Sequence, residues 1–154
     1  MASDRRNTRK RLMMAAILEI CRSLRVGNAQ KYEVVRGAVN WATWDFSAHP
    51  LAISVHCDEC SFLRSPGNDE GVVSLEIMGK MPDGARQVDD DLLDSIVDDA
   101  TEVFERLEDQ EVDEGNGDVN PAISMLDRRR DSAIEVSDVS RGVQGVVATA
   151  RVTF

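Results

Sequence analysis

The pattern of apolar and polar positions predicts one dominant element, an amphipathic helix over residues 89–110. Its apolar side chains recur at spacings of three and four, so they share one helix face; they are Leu92, Leu93, Ile96, Val97, Ala100, Val103, Phe104 and Leu107. Acidic residues fill the opposite face. Asp89, Asp90 and Asp91 stand where the first turn begins, where a carboxylate can cap free N–H groups. A helix with this much apolar surface needs a partner layer.

Alternating patterns on both sides of this helix predict the strands of that layer. Period-two alternation is clear in three stretches, which are 51–58, 73–81 and 146–154. Weaker patterns at 32–43 and around Ile134 and Val136 suggest further strands. An earlier helix is predicted from about Arg9 to Arg25. The order of elements indicates an α+β fold, with an antiparallel or mixed sheet of four or five strands packed against an N-terminal helix and one long acidic helix.

The chain length suits a single domain with a real core. Residues 1–10 are polar and basic and are predicted to form a flexible arm, with the domain spanning 11–154. Residues 111–120 are acidic, rich in glycine and poor in apolar side chains, so we expect a mobile exposed loop there.

The net charge of −10 divides unevenly along the chain. Residues 1–36 carry nine Lys and Arg against three acids, a balance of +6, which leaves −16 for the rest. Such a split is often ordinary solvated surface. It can also mean that the acidic body repels nucleic acid while the basic end seeks an acidic partner.

Nothing in the sequence predicts a membrane protein. No apolar run reaches the length of about 18–20 residues that crosses a bilayer. The N-terminus is basic before an apolar stretch, but Glu19 interrupts that stretch and no cleavage site of small residues follows. Three cysteines do not indicate a disulfide framework. We therefore expect an intracellular, unprocessed chain.

One short stretch could carry chemistry, His56-Cys57-Asp58-Glu59-Cys60. Two cysteines at this spacing can place both sulfurs on one zinc ion, and His56 is a third weak candidate ligand. No second Cys-x-x-Cys follows, and a redox pair would stand at a helix start and not at a strand end. The plainer interpretation is Cys57 as a small core residue and Cys60 in a loop. No metal or other cofactor is predicted.

No catalytic motif or phosphate-binding loop occurs, so we expect a protein that is not an enzyme. The remaining candidates are contact residues for a subunit or partner. They are Arg9 and Arg11 at the basic end, Trp41 and Trp44, and the cluster Arg128, Arg129 and Arg130 between two aspartates.

The chain resembles the tail terminator proteins of long-tailed bacteriophages and phage-like elements, from about Arg9 to Phe154. The residues that carry the resemblance are the N-terminal helix, the strand at 50–55, the strand at 73–81 with its Met-Pro-Asp-Gly ending, the acidic helix, the segment 127–131 and the final strand closing on Phe154. None of these is a signature motif. The Cys-x-x-Cys and the basic arm are not among the features that carry the resemblance.

The resemblance implies a virion structural protein that caps the tail tube as an oligomeric ring, expected to be a hexamer, and joins it to the head. Its implied partners are copies of itself, the tail tube protein and the connector or adaptor proteins of the head. DNA would pass through the lumen without specific binding. The implied location is the tail or neck of the virion, assembled in the host cytoplasm.

Three alternatives remain at the level of sequence. One is another head–tail joining protein of the same particle. A second is a small nucleic-acid-binding regulator that uses the basic arm, although no base-reading or stacking residues stand beside it. The third is a small metal or redox enzyme centred on Cys57 and Cys60.

Overall fold

The computed structural model describes residues 2–58, 70–84, 87–115, 117–128, 133–138 and 141–154; the side chains of residues 2–7 and 133 are not described. The elements run in the order α1 (Ala2–Ser23), β1 (Arg25–Val26), β2 (Ala29–Gln30), β3 (Glu33–Arg36), β4 (Leu51–Asp58), β5 (Glu70–Lys80), α2 (Asp90–Glu108), β6 (Glu111–Asp113), β7 (Val119–Pro121), β8 (Met125–Asp127), β9 (Ala133–Asp138) and β10 (Val143–Thr153). The predicted α+β class, with its N-terminal helix and long acidic helix, is confirmed.

A mixed six-stranded sheet forms the centre of the molecule. Its order is β3-β4-β5-β10-β8, and β9 lies beside β8 along the same side of β10. The pair β3–β4 is parallel and all other pairs are antiparallel. Two small hairpins, β1–β2 and β6–β7, stand apart from this sheet.

Both helices pack on one face of the sheet. The core combines the apolar stripes of α1 and α2 with inward-facing residues of β4, β5 and β10. The final strand shows why the sequence specifies this face, since its residues Val146, Ala148, Ala150, Val152 and Phe154 are all buried. The apolar stripe predicted for α1, from Met13 to Leu24, is buried as well.

Helix α2 begins as predicted. Asp89 is its N-cap, and the Asp89 carboxylate accepts hydrogen bonds from the backbone N–H groups of Asp91 and Leu92. One of the eight predicted core positions of this helix is wrong, because Val97 is 36% exposed. Val97 lies at the margin of the buried stripe of the helix.

Two boundaries differ from the prediction. Helix α1 begins at Ala2 and not near Arg9, so the stretch expected as a flexible arm continues the helix. The ends of the acidic segment 111–120 pair with each other as the hairpin β6–β7. Alternation is too short in this segment to be recognised from sequence. The mobility of both segments stays a prediction.

Among the described residues, a small apolar cluster covers one end of the helix-free face of the sheet. There Phe46, Met78 and Val143 form a small second cluster with Trp41 and Trp44 packed against it. Gly145 lies in β10 close to this cluster, and a Cβ atom added to it would stand 2.0 Å from the carbonyl oxygen of Ile77. The close approach of β10 and β5 therefore requires glycine at this position.

Candidate assembly surface

The surface around α1 and the surface around α2 carry opposite charges. Helix α1 packs over β3 and β4, whereas α2 packs over β5, β10 and β8. The outward surface of α1 and the turn after it includes the exposed cations Arg11, Arg22 and Arg25, with Glu19 as the exposed acid between them. We call this side, together with β3, the basic flank.

The opposite side is acidic. The solvent-facing surface of α2 and its C-cap exposes eight carboxylates, which are Asp90, Asp91, Asp94, Asp98, Glu102, Glu105, Glu108 and Asp109. The sequence predicted this face correctly from its helical period. We call α2 with the neighbouring strands β8 and β9 the acidic flank.

Each flank ends in a strand whose outer edge pairs with no other strand among the described residues. On the basic flank this strand is β3, which bonds only to β4. On the acidic flank it is β9, which bonds only to β10. An edge with unpaired N–H and C=O groups is a template for another chain.

Exposed aliphatic side chains concentrate beside the β9 edge. Met125 is 65% exposed, Ile134 is 63% exposed and Val136 is 39% exposed. In the pairing with β10 these three residues lie opposite Thr153, Val147 and Gly145, which places all three on the helix-free face. The sequence predicted a strand at Ile134 and Val136, but alternation alone does not reveal that the apolar side faces solvent.

Arg9 and Arg11 are both predicted contact residues, but Arg9 forms contacts within the chain whereas Arg11 is exposed. Arg9 is used within the chain: its guanidinium donates to Glu114 at 2.5 Å and to the carbonyl oxygen of Pro121 at 3.1 Å. This bond ties α1 to the hairpin β6–β7. Arg11 is exposed on the basic flank and stays a candidate for an external contact.

Trp41 and Trp44 are anchored within the chain but remain partly exposed. Their rings meet edge to face at 5.5 Å between centroids, and Trp41 stacks on Phe46. The Trp44 indole N–H donates to the carbonyl oxygen of His49. The two tryptophans thus pack over one end of the helix-free face, and their role as contact residues for a subunit or partner stays a prediction.

Of the predicted arginine cluster, only Arg128 is described; Arg129 and Arg130 lie outside the described residues. The Arg128 guanidinium lies 6.0 Å from the centroid of the Phe104 ring. Arg128 is exposed and sits next to β8, on the acidic flank.

The structure separates the predicted metal candidates His56 and Cys57. They are neighbours on β4, so their side chains point to opposite faces of the sheet. Cys57 packs against the main core, whereas His56 lies between two carboxylates, with Nδ1 3.0 Å from Asp58 and Nε2 3.6 Å from Glu76. Cys60 lies outside the described residues. Among the residues that are described, no group of three or more metal-ligating side chains is arranged around a common point.

A polar cluster that the sequence did not predict joins α2 to the start of β3. The Lys31 ammonium donates to Asp99 at 2.6 Å and to Ser95 at 2.8 Å, and the Tyr32 hydroxyl donates to the same Asp99 carboxylate. Burial, followed by the hydrogen bond and charge of Asp99, raises the pKa of Tyr32 well above its ordinary value. The cluster connects the basic flank to the acidic helix. Its partners are 64 or more residues apart in sequence, so no local pattern predicts their contact.

No known protein family matches the chain, and no curated protein matches it. In the described part of the chain, neither helix combines the length and apolar character that a bilayer crossing requires.

Proposed function

We propose that this chain is a structural protein of a phage tail, a tail terminator that closes the tail tube as a ring of identical subunits and forms the joint to the head. The observation that best supports the proposal is that a basic flank and an acidic flank lie at the two opposite edges of one sheet. Each flank also carries a free strand edge. Two different complementary surfaces on one subunit generate head-to-tail contacts, which close into a ring when the rotation per subunit allows it.

The charge distribution also suits a channel for DNA. A lumen through which DNA slides should not bind phosphate tightly, because each neutralised phosphate strengthens binding. The eight exposed carboxylates of α2 would repel the duplex if this helix lines the channel. The role proposed is one of shape and self-association, without catalysis. The ring size of six and the tail or neck location are taken from the family resemblance.

Another head–tail joining protein of the same particle shares these features, and the surface that meets the tube separates the two. A regulator that reads nucleic acid through its N-terminus is less well supported. Arg9, one of the basic residues of that region, is bound to Glu114 and Pro121 within the chain.

Electron microscopy with tail tubes tests the proposal. Purified full-length chain is added to tubes assembled from the cognate tube protein, and negative-stain images are scored for density at the ends. The proposed function predicts a ring on one end of each tube and none along the shaft. Bare ends at saturating protein concentration would refute it.

A further inference from the structure

The two free strand edges run in opposite directions. Strand β3 is parallel to β4, and the steps from β4 to β5, from β5 to β10 and from β10 to β9 are all antiparallel. Strands β3 and β9 are therefore antiparallel at the two sides of one sheet. When copies stand side by side with their helices on the same face, β9 of one copy meets β3 of the next antiparallel. That orientation is the one a ring of identically oriented subunits requires.

The side chains at these edges match face by face. On the helix-free face β9 presents Ile134 and Val136, and β3 presents Val35. On the helix face β9 presents Glu135, and β3 ends with Arg36. Glu135 and Arg36 are both exposed. Ile134 can thus meet Val35 on the helix-free face, where β3 also presents Glu33, while opposite charges meet on the helix face.

We propose that the outer edge of β9 in one copy forms antiparallel hydrogen bonds with the outer edge of β3 in the next copy, with Ile134 directly opposite Val35. In this register Arg36 stands opposite Ala133 and diagonal to Glu135, within reach of a long side chain. The inference rests on the ring proposed above and names its subunit interface.

Other pairings of these edges bring like charges together. Shifting the antiparallel register by two residues, so that Val136 faces Val35, sets Glu135 directly opposite Arg36 but also sets Asp138 directly opposite Glu33, so a repulsive pair offsets the attractive one. Pairing β9 with β9 of a second copy brings the acidic flanks of both copies together. The pairing of β9 with β3 instead joins an acidic flank to a basic one, which favours this partner over an isologous contact.

Cysteine cross-linking between two separately labelled populations tests the interface. The full chain carries Cys57→Ala and Cys60→Ala, which leaves the buried Cys21 as its native thiol. One population carries Val35→Cys and the other Ile134→Cys. After equimolar mixing and mild oxidation, we expect covalent dimers on a non-reducing gel from the mixture and monomers from each population alone.

Val119→Cys serves as the matched control, because Val119 is an aliphatic residue 54% exposed on β7, which belongs to a separate hairpin and to neither edge strand. Mixed with the Val35→Cys population, it should give no dimer above background. Dimers from the Ile134→Cys population alone would overturn the inference in favour of a β9–β9 contact. Cross-linking of Val35→Cys with Val136→Cys in preference to Ile134→Cys would overturn the register.

Native mass spectrometry of the same samples before oxidation gives their oligomeric state. This measurement distinguishes failure of the strand pairing from failure of the ring. Oligomers without the Val35–Ile134 cross-link refute the strand pairing and leave the ring intact. Monomers at every concentration, with bare tube ends, refute the ring and the pairing together.

A charge exchange gives an independent readout. Arg36→Glu or Glu135→Arg alone should weaken each subunit contact about fivefold, since like charges then lie on diagonal positions of the same face. The double variant restores the opposite pair and should recover the wild-type dissociation constant. A double variant as weak as the two single ones combined would contradict the contact between these residues.

Discussion

Gln144 is the residue that fixes the acidic helix to the sheet. Its side chain is fully buried, its amide nitrogen donates to the carbonyl oxygen of Asp89, and its amide oxygen accepts from the Asp89 N–H, both at 2.7 Å. The amide of this buried glutamine forms the same pair of hydrogen bonds with the backbone N–H and C=O of Asp89 that a neighbouring strand would form. The helix entry is therefore held by one side chain 55 residues away in sequence.

Replacing Gln144 with Leu should destabilise the fold by about 1–3 kcal/mol, because it leaves the Asp89 N–H without a partner. The Asp89 carbonyl oxygen loses one of its two donors and keeps the Leu93 N–H. Urea denaturation measures the change. Gln110→Leu is the control, because the Gln110 amide bonds only at the surface, to Glu111. We expect the control to cost less than about 1 kcal/mol. Equal losses in the two variants would contradict the role of Gln144.

The buried thiol of Cys21 makes the stability of the fold decrease at high pH. Burial raises the pKa of the Cys21 thiol from its ordinary value of 9.0 to about 12, against the opposing charges of Arg22 and Arg106. The folded chain keeps this thiol neutral where the unfolded chain ionises it, so its contribution to stability is complete below pH 9 and is lost as the pH rises toward 12.

Comparing wild type with Cys21→Ala isolates this contribution. Between pH 9 and 12 the free energy of unfolding of the wild type should fall more steeply, by up to about 1.4 kcal/mol per pH unit. The ionisation of Tyr32 also lowers stability at high pH in both proteins, because its pKa is raised mainly by burial and by Asp99. The measurement is urea denaturation at each pH, and two parallel pH profiles would contradict the buried-thiol argument.

At the scale of elements, the N-cap of α2 can be tested directly. Asp89→Ala removes the acceptor for the Asp91 and Leu92 N–H groups and should cost about 0.5–2 kcal/mol. Asp90→Ala is the control, since Asp90 is an exposed first-turn residue that contributes only through the helix dipole, about 0.3–1 kcal/mol. Thermal unfolding followed by circular dichroism should rank the two in that order, and the reverse order would refute the capping assignment.

The sequence predicts the elements that are long and amphipathic. Helix α2, strand β5 and strand β10 each repeat their period many times, so the buried face follows from the pattern. Strand β3, with four residues, and the hairpin β6–β7, with three residues in each strand, are too short for such a signal. The parallel pairing of β3 with β4 depends on where α1 packs, and no local pattern encodes that.

The candidate surface was predicted only in part. The acidic face of α2 follows from helical spacing. The free edges of β3 and β9 depend on strand order, which a single sequence does not give. Arg9 was predicted as an external contact because it lies in a basic cluster, but its partner Glu114 is 105 residues away. Long-range pairs of this kind are visible only once the chain is folded.

At the scale of the whole molecule, the acidic surface should exclude duplex DNA. The net charge is −10, and eight carboxylates of α2 and its C-cap are exposed. We expect no shift of a duplex of about 30 base pairs at physiological salt and micromolar protein in an electrophoretic assay. Submicromolar affinity that falls steeply with salt would instead support a nucleic-acid-binding role for the basic flank.

The central claim is that opposite flanks of one subunit bind each other and close a ring. Native mass spectrometry of the full chain over a concentration series tests it most directly. We predict one discrete oligomer, six copies by the family resemblance, whose dissociation increases with salt because screening weakens contacts between opposite charges. A monomer at all concentrations, or an open-ended ladder of sizes, would contradict the claim.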